Sequence, residues 1–174
     1  SRRWFTKWWR SASQPAAPFD LSGSLRTAGK KLPNRWIFHA VEGLGKTSFA
    51  AHAPAPVFLM ARGETGLETL IDSGQLPETN HLPEIQTWQE TLRALEAIRT
   101  QDHSFRTVVL DTLNGFERLC HEYVCETSFA NDWTDKGFAS YGKGPEVALA
   151  EWRVLLSLLD KIREEKGCSI LCLA

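Results

Sequence analysis

The sequence predicts an α/β fold in which a parallel β-sheet is flanked by helices. Four short apolar runs have the composition of buried strands, and they span residues 36–39, 55–61, 106–112 and 168–174. Helical patterns separate these runs, and strands that alternate with helices form parallel sheets covered on both faces. A chain of 174 residues, 43% of them hydrophobic, is long enough to bury one such core.

Composition argues against several functional classes. The net charge of −1 means that the chain is not a polycation, so any contact with nucleic acid must come from local patches. No apolar run is long enough to span a membrane. The four cysteines lack the framework of a small secreted protein, which indicates reduced thiols in an intracellular protein. Cys120, His121 and Cys125 suggest zinc, but a Cys-x4-Cys pair on an amphipathic helix favours core cysteines.

The first 34 residues differ in composition from the rest of the chain. They open with interleaved basic and aromatic residues and continue with a stretch rich in Ser, Ala, Pro and Gly; the interleaved residues are Arg2, Arg3, Trp4, Phe5, Lys7, Trp8, Trp9 and Arg10. We interpret residues 1–34 as a tail and flexible linker, and residues 35–174 as the folded domain. Charge and stacking in the tail are suited to single-stranded nucleic acid. The alternative is a leader without a ligand, which the lack of any ligand-specific spacing favours.

Capping and breaking residues bound the helical segments. A helix is expected from about Lys46 until Pro54 stops it. The segment 87–100 has apolar residues at helical spacing, and Thr87 is a typical N-cap for it. A further helix is predicted over residues 114–129.

The last predicted helix spans residues 145–165 and follows a polar, glycine-containing loop over residues 130–144. It starts with proline in its first turn, where the missing N–H costs nothing. Its apolar stripe is expected to consist of Val147, Leu149, Trp152, Leu155, Leu156, Leu159 and Ile162.

The segment WIFHAVEGLGKTS, residues 36–48, has the features of a phosphate-binding loop. Such a loop needs a strand before it and a helix after it, so that backbone N–H groups and the helix dipole converge on the phosphates. Gly45, Lys46 and Thr47 complete the pattern G-x-x-x-x-G-K-[ST], with Ala40 in the place of the first glycine. Alanine fits there if its φ is negative. The strand–loop–helix context argues against a chance glycine-rich turn.

We therefore expect this loop and the first helical turn to bind a nucleotide with Mg²⁺. Gly43 and Gly45 let the backbone approach the phosphates, Lys46 contacts the β- and γ-phosphate oxygens, and the Thr47 hydroxyl binds Mg²⁺. The complete set of expected nucleotide-binding residues is Glu42, Gly43, Leu44, Gly45, Lys46, Thr47 and Ser48.

Asp111 ends the apolar run VVLD, which has the form of a buried strand that delivers a carboxylate to Mg²⁺. The alternative is that Asp111 caps the helix that begins near Asn114. The next residue is Thr112 rather than Glu, so the second acid that often polarises water is absent at this point. The chain has no Asn-Lys-x-Asp motif for guanine, which favours adenine nucleotides.

Three segments together resemble a known family: VEGLGKTSFAAHAPAPVFL, FRTVVLDTLNGFERLC and the stretch from Gly137 to Ala174. They are similar to phage and prophage AAA-family ATP-binding proteins with a RecA-like core, over roughly residues 35–174. The resemblance implies a RecA-like P-loop ATPase fold, ATP and Mg²⁺ as cofactors, and assembly into a homo-oligomer. It also implies a setting in phage DNA recombination, replication or single-strand annealing, in the cytoplasm of a bacterial host.

The resemblance implies roles for individual residues as well. Phosphate contact falls on the loop residues named above and Mg²⁺ support on Asp111. In RecA-like ATPases the water-activating glutamate follows the second strand, and the matching segment here, MARGETG, makes Glu64 the candidate, with Glu68 in reserve. A solvated loop acid, or a cap for the next helix, is the alternative for Glu64. The catalytic candidates are thus Lys46 and Glu64.

Two further expectations concern the C-terminal half. Lys143 lies between glycines in SYGKG, a segment that the family shares, and it either reaches the γ-phosphate bound to a neighbouring subunit or is an ordinary exposed lysine. RecA-like proteins continue beyond the point that corresponds to Ala174 with a sensor residue, another strand and DNA-contacting loops. We therefore expect the C-terminal part of the domain to be missing from this chain.

The sequence thus predicts a P-loop NTPase that binds and hydrolyses Mg·ATP in phage-type DNA metabolism. One alternative is a module that uses ATP occupancy to assemble on DNA and hydrolyses little. The other is a small-molecule kinase, against which the loop at 130–144 counts, because it has two lysines, Lys136 and Lys143, in place of an arginine-rich lid.

Overall fold

The computed structural model describes residues 20–25 and 31–174. The chain divides into two compact units, residues 1–31 and 32–174. In the first unit a short helix, α1 (Leu21–Ser24), is capped by Asp20, whose carboxylate accepts a hydrogen bond from Gly23 N at 3.0 Å. The basic and aromatic run at residues 2–10 lies outside the described residues.

The second unit contains a five-stranded sheet in which all the strands are parallel. The strands are β1 (Arg35–Phe38), β2 (Pro56–Met60), β3 (Asn80–His81), β4 (Thr107–Asp111) and β5 (Ser169–Leu173). Their order across the sheet is β1-β5-β4-β2-β3. The bounds of the four predicted strands are confirmed to within one residue at each end. The expectation that all four are buried is wrong for β1, an edge strand in which Arg35, Trp36 and Ile37 are exposed. The sequence does not predict β3, because two exposed residues have no periodicity.

Helices cover both faces of the sheet, as predicted. They are α2 (Lys46–Ala51), α3 (Gly66–Asp72), α4 (Trp88–Thr100), α5 (Leu113–Phe129) and α6 (Lys143–Lys166). Helices α2 and α3 pack on one face, and α4, α5 and α6 pack on the other. This division follows from the right-handed crossover rule, since the chain moves from β1 outwards to β3 and then returns through β4 to β5.

Alternation along the strands separates two apolar layers. In β2, Phe58 and Met60 join the layer under α2 and α3, whereas Val57 and Leu59 join the layer under α4, α5 and α6. β4 is buried at all five positions, from Thr107 to Asp111. Its carboxyl end, with Asp111, therefore lies in the middle of the sheet rather than at an edge.

Two threonines cap the helices α4 and α5. Thr87 caps α4 in a capping box with Glu90, as the sequence predicts for Thr87. Thr112 caps α5 and accepts a hydrogen bond from Gly115 N at 3.3 Å. The cap of α5 is thus Thr112, and the alternative in which Asp111 caps this helix is wrong.

α6 begins at Lys143, two residues before the predicted start, and a 3₁₀ turn over Ser140–Gly142 precedes it. The predicted apolar stripe is correct for its buried members Leu155, Leu159 and Ile162. Three other predicted members of the stripe are exposed, and they are Val147, Leu149 and Leu156. The reason is geometric, since seven apolar residues over this length cover more than the one face that a helix buries.

None of the helices in residues 20–25 and 31–174 is long and apolar enough to cross a membrane.

The packing of α6 predicts different costs for two leucines three residues apart. Leu159 is fully buried, so Leu159→Ala should lower the free energy of unfolding by about 2–5 kcal/mol. Leu156 is 44% exposed, so Leu156→Ala is the matched control and should cost less than about 1 kcal/mol. Denaturant unfolding of both variants measures the difference. Equal losses would contradict this packing.

Candidate functional site

The loop between β1 and α2 has the backbone that a phosphate-binding loop requires. Gly43 and Gly45 have φ values of 78° and 85°, a region that favours glycine. Gly45 is also the N-cap of α2, so the loop leads directly into the first turn of the helix. Ala40 does not have a positive φ, so alanine is accommodated where the usual pattern has glycine. The loop from Val41 to Gly45 is exposed to solvent and accessible to a ligand.

Lys46, the first residue of α2, folds back over this loop. Its Nζ donates a hydrogen bond to the carbonyl oxygen of Ala40 and a second one, at 3.4 Å, to that of Val41. The ammonium group therefore lies within the loop, with neutral carbonyl groups as its hydrogen-bond partners. Phosphate oxygens are stronger partners for an ammonium group than neutral carbonyl oxygens.

Thr47 joins the loop to the centre of the sheet. Its Oγ1 donates a hydrogen bond to Asp111 Oδ2 at 2.9 Å. Because β5 lies between β1 and β4, this contact bridges the carboxyl ends of two strands that are not neighbours. Thr47 and Asp111 are 64 residues apart in the sequence. The structure thus brings Asp111 together with Lys46 and Thr47.

Asp111 is a buried acid without a salt-bridge partner among the described residues, and 4% of its surface is exposed. Burial raises the pKa of Asp111 above its ordinary value, and the nearby charge of Glu64 raises it further. The hydrogen bond from Thr47 and the charge of Lys46 oppose this rise in pKa. A buried carboxylate in this state is stabilised by any cation that binds beside it.

The oxygen atoms at this point fit a magnesium ion. Mg²⁺ prefers oxygen ligands and is commonly held by one or two protein groups together with phosphate oxygens and water. Thr47 and Asp111 supply a hydroxyl and a carboxylate that already lie 2.9 Å apart, beside the loop. Because burial raises the pKa of Asp111 and no salt bridge among the described residues offsets its negative charge, a divalent cation is suitable here.

Glu64 lies at the end of a turn that follows β2. Glu64 N donates to Ala61 O at 3.0 Å, which closes the turn, and Glu64 Oε1 accepts a hydrogen bond from Thr112 Oγ1 at 2.8 Å. Because Thr112 directly follows Asp111 in the sequence, this hydrogen bond places Glu64 close to Asp111. Glu68, the reserve candidate, is exposed in the first turn of α3, and no described residue forms a hydrogen bond with its side chain.

Sequence reasoning missed the contribution of Thr112 and Gly115 to this site. It treats Thr112 only as the absence of an acid, whereas the structure places its hydroxyl on Glu64. A Cβ placed on Gly115 would lie 2.6 Å from the Ala61 Cβ, so only glycine lets α5 approach the turn after β2. The local signal that the sequence offers is Thr112 as an N-cap residue before the helix, and it predicts the cap of α5 but not the contact with Glu64.

The other sequence candidates lie outside this cluster. Lys143 is exposed at the start of α6, and in the described part of the chain it has no hydrogen bond with Lys46, Thr47 or Asp111. Cys120 and Cys125 are buried, free thiols, and burial raises the pKa of Cys120 to about 12.

A cavity of about 900 Å³ lies beside α2, and Asp111 is not among the residues that line it. It is lined by Trp36, Phe38, Phe49 and Leu171, among others, and of the expected nucleotide-binding residues it includes Ser48 alone. Its apolar lining does not suit phosphate groups, so we do not assign the nucleotide to it.

Comparison with known proteins places this geometry in a family. No curated protein matches the chain. A family model described as an AAA domain matches residues 33–170, which include β1, the loop, Glu64 and Asp111. AAA domains are P-loop NTPases, and the five-stranded parallel sheet flanked by helices is the fold expected of them. Because the match extends over most of its length, the chain belongs to the AAA domain family of P-loop NTPases.

Proposed function

We propose that the chain binds Mg·ATP at the loop between β1 and α2 and hydrolyses it to ADP and phosphate. The observation that carries this proposal is the 2.9 Å hydrogen bond between Thr47 and Asp111, directly beside Lys46. It joins an exposed glycine-rich loop, an ammonium group and a buried carboxylate at the carboxyl ends of parallel strands. Ligands of open α/β sheets bind at these ends.

Each group has a separate task in binding. The backbone N–H groups of the loop and of the first turn of α2 bind the phosphates, since the N-terminus of a helix attracts anions. Lys46 exchanges the carbonyl oxygens of Ala40 and Val41 for the β- and γ-phosphate oxygens. Thr47 and Asp111 would hold Mg²⁺, which, when bound, neutralises charge on the phosphates.

Hydrolysis needs a group that orients the attacking water, and Glu64 is our candidate. A bond forms between the water oxygen and the γ-phosphorus, and the bond from this phosphorus to the oxygen that bridges to the β-phosphate breaks. ADP leaves with that oxygen and its electron pair. Glu64 accepts a hydrogen bond from the water and takes up its proton, which is later released with the phosphate.

We further propose that this NTPase acts in phage-type DNA recombination or replication as a homo-oligomer in the cytoplasm of a bacterial host. The sequence resemblance to phage and prophage ATP-binding proteins supports this setting. The interleaved basic and aromatic residues at 2–10 support single-stranded DNA as a partner. A module that assembles on DNA with little hydrolysis is the alternative, and a phosphate-release assay with and without single-stranded DNA distinguishes the two.

Removal of the Lys46 ammonium group should abolish ATP binding. Lys46→Ala removes a charge beside the phosphates and little buried volume, so the fold should remain intact. Isothermal titration calorimetry with Mg·ATP measures the loss. Lys136→Ala, which removes an exposed loop lysine, is the control and should bind as the unchanged protein does. Equal affinity of Lys46→Ala and the unchanged protein would refute the assignment.

Asp111→Asn should keep or raise the stability of the folded chain while it weakens magnesium binding. Its amide oxygen still accepts the Thr47 hydrogen bond, but the buried charge is gone. Because the pKa of Asp111 is raised, the folded chain holds the proton more tightly than the unfolded chain, and stability falls as pH rises from the ordinary Asp pKa to the raised one. At neutral pH, therefore, Asp111→Asn without nucleotide should melt at an equal or higher temperature.

The same variant should lose the strengthening of ATP binding that Mg²⁺ gives. Parallel ATP titrations in magnesium and in EDTA measure this effect for both proteins. Identical magnesium dependence of ATP affinity in Asp111→Asn and the unchanged protein would remove Asp111 from the metal site.

Glu64→Gln should slow turnover without weakening ATP binding. The amide keeps the size of the side chain but is a poor proton acceptor, so kcat should fall roughly 10²-fold while KM stays the same. Phosphate release under steady-state conditions gives both constants, and Glu68→Gln is the matched control. Turnover by Glu64→Gln at the unchanged rate would mean that another group orients the water, and slower turnover by Glu68→Gln would assign this role to Glu68.

Deletion of residues 1–31, which leaves the unit 32–174 complete, should weaken single-stranded DNA binding. The deletion removes basic residues that displace counterions from DNA, so the affinity should fall and depend less on salt concentration. Fluorescence anisotropy with a labelled oligonucleotide over a salt series measures both quantities. Superimposable curves for the two chains would show that the tail does not contribute.

A further inference from the structure

Thr112 connects the carboxyl ends of two neighbouring strands. It follows Asp111 at the end of β4, and Glu64 belongs to the turn that follows β2. The two strands remain paired up to this point, since Ala61 N donates to Asp111 O at 3.0 Å. Beyond it the chain turns to opposite faces of the sheet, towards α3 after β2 and towards α5 after β4. The Thr112 hydroxyl donates a hydrogen bond to Glu64 Oε1 at 2.8 Å and so joins the two segments where they separate.

The Thr112 hydroxyl is itself oriented by the backbone. It accepts a hydrogen bond from Gly115 N at 3.3 Å, as the N-cap of α5. A carboxylate can only accept hydrogen bonds, so the hydroxyl proton must point to Glu64. The side chain of Thr112 is thus a fixed donor to one oxygen of Glu64. Among the described residues no group is hydrogen-bonded to the other oxygen, Oε2, which can therefore accept a hydrogen bond from water.

The rest of the turn after β2 is held against α5. Arg118 Nη2 donates to Arg62 O at 2.7 Å, and the Arg62 guanidinium pairs with Glu122 Oε1 at 2.7 Å. A Cβ on Gly115 would lie 2.6 Å from the Ala61 Cβ and 3.6 Å from Glu64 Oε1. The backbone of the turn is therefore fixed by contacts that do not involve the Glu64 side chain, and Thr112 is what fixes the side chain itself.

We propose that Thr112 is a positioning residue that holds Glu64 for hydrolysis. It stands where many P-loop proteins have a second acid after the Mg²⁺ aspartate, and here it directs an acid that comes from the neighbouring strand. This inference rests on the proposed role of Glu64. Thr112 makes no contact with the reacting atoms in this role, and it acts by keeping Glu64 Oε1 occupied and Oε2 free for the attacking water.

The test compares Thr112→Val with Thr112→Ser in the 174-residue chain. Valine keeps the shape of threonine and removes the hydroxyl, so kcat for ATP should fall about tenfold while KM changes less than about twofold. Serine keeps the hydroxyl and should restore kcat to within about twofold. Thr112→Ala is a second variant without the hydroxyl, which gives the same information if the valine variant folds poorly.

A control separates positioning from helix capping. Thr87 caps α4 with the same i to i+3 hydrogen bond and does not contact Glu64. Thr87→Val should therefore lower the melting temperature in the same way as Thr112→Val but leave kcat unchanged. An equal fall in kcat for both variants would mean that lost capping explains the effect, and it would overturn the proposal.

A double-mutant cycle with Glu64→Gln tests whether Thr112 affects kcat through Glu64. If Thr112 acts through Glu64, Thr112→Val should cause no further fall in kcat in the Glu64→Gln background. A further tenfold fall, or no effect of Thr112→Val in a chain where Glu64→Gln does slow turnover, would overturn the positioning role and leave the proposed function standing. No turnover by the unchanged chain, or no effect of Glu64→Gln, would refute the proposed hydrolysis and this inference with it.

Discussion

The hydrogen bond from Thr47 to Asp111 is the contact on which the candidate site depends. It joins the helix that follows β1 to the end of β4, across the intervening strand β5. Asp111 is almost fully buried in the middle of the sheet, and burial raises its pKa. A neutral hydroxyl gives this carboxylate only part of the stabilisation that a cation gives. The fold therefore places a buried carboxylate without a cationic partner beside an exposed glycine-rich loop, and the proposed Mg·ATP would supply a cation to the carboxylate and phosphate groups to the loop.

Parallel strand topology creates this arrangement. All five strands have their carboxyl ends on the same side of the sheet, so residues in the segments that follow the strands meet there although the sequence separates them widely. Lys46 and Thr47 come after β1, Glu64 after β2, and Asp111 and Thr112 at and after β4. Buried apolar residues on both faces fix the strands, and the polar residues at their ends are placed by that packing.

Much of the fold and part of the site could be predicted from local sequence patterns. The four longer strands are continuous apolar runs, and the glycine-rich loop follows one of them directly, so strand and loop have signals of their own. The Thr87 cap is likewise a local pattern. The short strand β3 and helix α3 could not be predicted in this way, because β3 has two exposed residues and α3 has one buried residue, Leu67.

The remaining features depend on contacts between distant residues. The hydrogen bond from Thr112 to Glu64 joins residues 48 positions apart, and neither side chain alone indicates the other. From the sequence alone, Gly115 is an unfavourable residue in a helix. Its role becomes clear only when the structure shows that Ala61 packs against it. The exposure of Val147, Leu149 and Leu156 depends on which face of α6 meets its neighbours, and apolar composition does not specify that face.

The most direct measurement is a crystal structure of the chain with Mg²⁺ and a non-hydrolysable ATP analogue. We expect the β- and γ-phosphates within the loop from Ala40 to Thr47, the metal at the Thr47 hydroxyl beside Asp111, and Lys46 Nζ moved from the Ala40 carbonyl to the phosphates. We also expect a water molecule between Glu64 and the γ-phosphate. A nucleotide bound elsewhere, for example in the apolar cavity beside α2, with Lys46 still on the Ala40 carbonyl, would contradict the assignment of this site.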